Sequence, residues 1–128
     1  MKPEEQMEVF ESLKKLMTPY AKKLTARTGG VRNKEAYSLV SEKEVEVLGR
    51  KRNEMWFAGL INQKGYVGFY YMPVYAKPEM KKVFKPELLK LLKGKCCFHV
   101  RKLTPEVRMQ VKEALKVGFE MYKAKGWV

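Results

Sequence analysis

A hairpin with no polar face limits the folds open to this chain more than any other feature. Glu54–Tyr75 reads EMWFAGLINQKGYVGFYYMPVY, two aromatic and aliphatic runs around Asn62-Gln63-Lys64-Gly65. Strand propensity is high in both runs, and Gly65 supplies the positive φ that closes such a loop. Met55–Ile61 and Tyr66–Met72 are therefore expected to pair as antiparallel strands. Successive strand residues point to opposite faces, so a sheet covered on one side alternates apolar and polar residues. Here both sets are apolar or aromatic: Trp56, Ala58 and Leu60 against Met55, Phe57 and Ile61, then Tyr70 and Met72 against Val67, Phe69 and Tyr71. One face is expected on helices. The other needs cover from the segment Pro73–Lys93, from a second copy of the chain in a homodimer, or from a ligand.

Helix and turn signals frame that hairpin. Phe10, Leu13, Met17, Tyr20 and Leu24 recur at three- and four-residue steps, which predicts a helix over Pro3–Arg27, kinked or broken at Pro19. Gly29-Gly30 marks Thr28–Lys34 as a loop. Short strands are expected at Ala36–Val40 and Glu44–Leu48, around a polar turn at Ser41–Lys43. Pro73 ends the second hairpin strand because it cannot donate to a ladder. Pro78–Phe84 and Pro86–Lys93 read as short helical pieces, the second capped by Gly94, and Cys96–Val100 as a short strand. Thr104-Pro105-Glu106 carries the N-cap, first-turn proline and early acid of a helix start. Val107, Val111, Ala114, Leu115, Gly118 and Tyr122 then form the buried side of the last helix. The order predicts an α+β fold, a two-layer α/β sandwich with a mainly antiparallel sheet packed by N- and C-terminal helices. One domain over residues 1–128 is expected.

Composition narrows the function classes. At 128 residues and 45% hydrophobic content the chain can bury one core without staples. The longest uncharged stretch, Gly65–Ala76, is well short of the roughly 20 apolar residues a membrane span needs. The N-terminus, MKPEEQMEVFESLKKLM, has charges throughout instead of a signal peptide's apolar core. A cytoplasmic protein without membrane association is expected. Adjacent Cys96 and Cys97 agree, since strand neighbours point apart and do not bridge readily. The net charge is +13, yet only six of 27 basic residues are Arg, and the lysines are scattered along the chain. Bidentate recognition of bases and phosphates favours Arg, and Glu113–Lys116 and Glu120–Lys123 pair part of the charge locally. A solvated basic surface is thus favoured over a nucleic-acid site. All 14 acidic residues are Glu, which excludes EF-hand calcium loops and catalytic triads built on Asp.

Few constellations carry chemistry. Cys97 and His99 share one face of their strand with Arg101, opposite Cys96, Phe98 and Val100. A soft metal or a nucleophilic thiol uses such a pair, but no other His or Cys beyond Cys96 exists, and a packed thiol beside a surface histidine is the simpler reading. Glu4, Glu8 and Glu11 fall on one helical face with Glu5 beside them, which complements the helix dipole or holds a cation weakly. Gly29-Gly30 lacks the residues of a phosphate loop. With no complete catalytic set, the expectation is a non-enzymatic binding or accessory protein. Trp56, Tyr70, Tyr71, Cys97 and His99 are its candidate ligand-binding residues, and the ligand is a protein partner or a small molecule.

Two segments also carry a family resemblance. Gly49-Arg50-Lys51-Arg52 leading into Met55-Trp56-Phe57-Ala58-Gly59, then Gly65-Tyr66-Val67-Gly68-Phe69-Tyr70-Tyr71-Met72-Pro73-Val74-Tyr75, resembles the small bacterial YdhG-like family. Gly94-Lys95-Cys96-Cys97-Phe98 before the last helix is similar to that family too. The resemblance implies a frataxin-like layer of two helices on an antiparallel sheet. One branch of that family is described as an intracellular iron chaperone serving iron–sulfur cluster or haem synthesis. Carried over to this chain, iron would fall to Glu4, Glu5, Glu8 and Glu11. A third alternative is an anionic polymer held by basic clusters such as Arg50–Arg52.

Overall fold

The computed structural model describes residues 2–31, 34–47 and 49–128. Pro3 opens helix α1 (Pro3–Met17), with Glu4 and Glu5 in the first turn and Lys14 and Lys15 in the last, both favourable to the helix dipole. Phe10, Leu13 and Met17 are buried along its inner side. Pro19 interrupts the helix, and the chain tightens into a 3-10 turn over Thr18–Lys22. The helix does not reach Arg27. Thr25–Val31 is instead strand β1, in register with β2 (Lys34–Ser41) from Thr25↔Val40 to Val31↔Lys34. Gly29, taken from sequence as a loop signal, adopts a φ of +130° within this edge strand, a conformation open to glycine. Residues 32–33 of the expected loop lie outside the described residues.

The short strands β3 (Val45–Val47) and β4 (Arg50–Arg52) pair into a separate two-stranded ribbon. Leu48, the expected end of β3, lies outside the described residues. The hairpin itself is β5 (Met55–Gln63) and β6 (Tyr66–Tyr71). Gln63 pairs with Tyr66, so the turn is the dipeptide Lys64-Gly65, with Gly65 at φ +83°. Pro73 lies in the first turn of α2 (Met72–Ala76) and takes the chain off the sheet. A 3-10 turn over Pro78–Val83 and helix α3 (Pro86–Leu89) follow. The expected helix to Lys93 ends early, because Leu92–Lys93 forms strand β7 and pairs with β8 (Cys97–Val100). Gly94, at φ +82°, is therefore in a strand-to-strand turn and caps no helix. Helix α4 (Pro105–Ala124) starts as its sequence predicts, with Thr104 Oγ1 accepting from the Val107 N–H at 3.2 Å.

The main sheet has the order β1-β2-β5-β6-β8-β7, antiparallel throughout. Helices α1 and α4 pack on one face and make the second layer of the α/β sandwich. Phe57 lies there among Tyr20, Phe119 and Tyr122, at centroid distances of 5.8, 5.9 and 5.3 Å. Gln6 on α1 donates to Asn62 and to the Gln63 and Tyr66 carbonyls, fixing the helix to the hairpin end. The segment Pro73–Lys93 joins this same layer. Phe84 meets Tyr71 and Phe98 edge-on at 5.5 and 5.1 Å, and the Leu88 N–H donates to Gln110 at 2.9 Å. It does not cover the opposite face, so the first of the three expected covers is removed. Among the described residues no helix is long and apolar enough to cross a membrane.

One irregularity sets what faces outward. Leu39 pairs with Ala58 and Val40 with Trp56, leaving Phe57 as the extra residue of a β-bulge. Phe57 and Ala58 both turn toward the helices, and Trp56 turns away. The alternation expected from sequence, with Trp56 on the side of Ala58 and Leu60, is broken at that step.

Candidate functional site on the open sheet face

Strand register collects the outward side chains. Phe98 and Val100 are fully buried against the helices, so Cys97 and His99 point outward, as their spacing predicts. Tyr70 pairs with Cys97 and Gly68 with His99, while Gly59 faces Tyr70 and Ile61 faces Gly68 across the hairpin. The resulting face runs from Trp56 on β5 through Tyr70 and Tyr66 on β6 to His99 on β8. Tyr71, the fifth residue expected here, is absent from it. As the immediate neighbour of Tyr70 it points the other way, is fully buried, and donates its hydroxyl to the Ala114 carbonyl of α4 at 2.5 Å. Burial raises its pKa far above the ordinary phenol value, so it is a neutral core residue.

Two glycines let the rings lie close to the sheet. A Cβ at Gly68 would sit 2.9 Å from Tyr70 Cε2 and 3.3 Å from its hydroxyl, so the Tyr70 ring crosses the strand where no side chain stands. At Gly59 the nearest atom is Trp56 Cζ3, 3.5 Å from the place a Cβ would take. Trp56 keeps 39% of its surface exposed, a large value for the largest apolar side chain. Tyr66 and His99 stack at 4.0 Å with planes 16° apart, and the Arg101 guanidinium lies 5.8 Å from the Tyr66 centroid. Hydrogen bonds fix the rings further. Gln63 Nε2 donates to the Tyr70 hydroxyl at 3.2 Å, and Gln63 Oε1 accepts from Lys34 Nζ at 2.6 Å. Trp56 Nε1 donates to Glu54 at 3.1 Å.

Charge is divided along the face. At the Trp56 end Arg27 donates to both Glu54 oxygens at 2.8 and 2.7 Å and approaches Glu42 at 3.9 Å. The Arg27 hydrogen bond, then that of Trp56, holds the Glu54 carboxyl below its usual range. Lys34 beside Gln63, Arg101 beside Tyr66 and Lys93 on the β7 edge beside Cys97 form no ion pair among the described residues. Desolvation first, then Arg101 and Lys93, lowers the His99 pKa, leaving a neutral imidazole at pH 7. Burial raises the Cys97 thiol, against an opposing hydrogen bond from Tyr70, and so disfavours its thiolate. The groups gathered on this face are suited to stacking and hydrogen bonding.

The glutamates of α1 do not form a comparable site. Glu4, Glu5, Glu8 and Glu11 are all exposed, and among the described residues no group of three or more His, Cys, Asp or Glu side chains is gathered to hold a metal ion. Glu5 and Glu8 instead line a groove of about 670 Å³ whose other wall carries Arg101, Lys102 and Arg108. Those cations disfavour a further positive ion there. Arg50–Arg52 is strand β4 of the separate ribbon, outside the aromatic face. Tyr66 was missed from sequence although it shares the parity of Tyr70, and Lys93 was missed because its strand has only two residues. No family model, curated protein or solved structure matches the chain.

Proposed function

We propose that this is a non-enzymatic binding protein that holds a planar group of a partner or ligand against its open sheet face. The observation that carries this reading is the placement of Trp56, Tyr70, Tyr66 and His99 on the face left bare by both the terminal helices and the Pro73–Lys93 segment. Trp56 is exposed, and Tyr66, Tyr70 and His99 are half-buried; the aromatic surface they leave in water favours association. Rings fixed by Gln63 and Glu54 lose little freedom when a ligand stacks on them. Lys93 and Arg101 beside His99, with Lys34 across the sheet at Gln63, favour a ligand that carries negative charge.

Anilinonaphthalene sulfonate, a planar aromatic anion, is a suitable first probe. Its fluorescence should rise saturably with the folded protein. Trp56→Ala and Tyr70→Ala should each weaken binding by about five- to tenfold, the worth of one aromatic contact at about 1 kcal/mol. Glu8→Gln should leave it unchanged. Equal affinity in all these proteins would remove the face as the binding surface.

A further inference from the structure

We propose that the natural occupant of this face is a single-stranded nucleic acid, its bases stacked on the Trp56, Tyr70 and Tyr66–His99 rings and its phosphates near Lys34, Lys93 and Arg101. The inference rests on the reading of the open face as a binding surface and gives that reading its ligand class. Three features of the molecule support it. Ring-bearing positions occupy three adjacent strands, β5, β6 and β8, and so span about 10 Å, which accommodates two or three consecutive bases. Lys34 and Arg101 flank the Gln63–Tyr66 end of those rings and Lys93 lies beside Cys97 on the edge strand β7, while the carboxylates Glu42 and Glu54 are held by Arg27 at the Trp56 end. The outward surface is a sheet, which offers rings to unpaired bases and nothing to the closed stack of a duplex.

Charge also decides against the competing occupants. A second copy docked face to face brings together two chains of net charge +13 each, a repulsion that a polyanion does not meet. An acidic peptide would satisfy the cations but leave the rings without planar partners. The small number of arginines weighs against reading of base edges. It does not weigh against lysine contacts to phosphate, which act as point charges, combined with stacking that is indifferent to sequence.

The test is fluorescence anisotropy with fluorescein-labelled thymidylate and uridylate dodecamers, and with a duplex of the same length. Saturable binding of the single strands is expected, with the duplex at least tenfold weaker. The affinity should fall with salt at a log–log slope of about −2, as for three neutralised phosphates on a single strand. Tyr70→Ala and Trp56→Ala should each lose about tenfold. A Lys34/Lys93/Arg101→Gln variant should lose the salt dependence, whereas Lys112/Lys116/Lys123→Gln on exposed α4 should retain it. Tyr70→Leu, which keeps apolar bulk over Gly68, guards against loss through unfolding and should bind as weakly as Tyr70→Ala. Equal losses in the two charge variants, or a duplex bound as tightly as the single strand, would overturn the inference. If the dodecamers fail to bind while the planar sulfonate still depends on Trp56 and Tyr70, the nucleic-acid inference falls and the open-face reading stands. If both fail, the open-face reading falls with it.

Discussion

Tyr70 and Tyr71 are chemically the same residue and hold opposite places in this protein. One peptide step separates a ring on the open face from one fully buried beneath α4. Strand alternation alone requires that opposition, and the candidate set that held both Tyr70 and Tyr71 on one face did not respect it. The position of Trp56 is not legible, because it depends on a bulge created by pairing with β2. Gly118 shows the same dependence on a distant partner. A Cβ there would collide with the Tyr71 hydroxyl and lie 2.8 Å from Pro73 Cγ. Alanine in place of glycine within a helix ordinarily gains about 1 kcal/mol, whereas overpacking of a fitted core costs about 1–3 kcal/mol. Gly118→Ala is therefore expected to lower stability by urea denaturation. Adding Tyr71→Phe, which removes the obstructing hydroxyl, should make the combined loss smaller than the sum of the two single losses. A stabilised Gly118→Ala protein would contradict this packing.

At the scale of elements, the legible parts are those whose signals are local. Thr104-Pro105-Glu106 starts α4 where expected, and the Thr104 hydroxyl caps it. Thr104→Ala should cost about 1 kcal/mol in the same denaturation assay, and a neutral outcome would mean the cap is replaced by water. The hairpin β5–β6 was equally plain from its composition and Gly65. Elements that depend on a partner were not plain. Strand β1 carries Gly29-Gly30, a strong turn signal, yet full pairing with β2 overrides it. Strand β7 is too short to carry a pattern of its own and exists through its pairing with β8. Pro86 and Leu88 begin a real helix, but the run to Lys93 mixes helix and strand within a few residues.

For the whole molecule, the layer order was readable and the sidedness of the Pro73–Lys93 segment was not. Nothing in that segment's composition says which sheet face it meets. Phe84 decides it by packing on Tyr71 and Phe98. The consequence is a protein with every helix on one side and an aromatic, unevenly charged sheet on the other. The acidic stripe of α1, attractive as a cation site in one dimension, meets Arg101 and Arg108 across a groove once folded. The proposed function assigns binding to the sheet face. Its most direct test is an amide chemical-shift map of the labelled protein on addition of anilinonaphthalene sulfonate. Saturable shifts concentrated at Gly59, Gly68, Tyr70 and His99, with the amides around Glu5, Glu8 and Arg108 unmoved, are expected. Shifts confined to that α1 groove, with the sheet amides unmoved, would contradict the account.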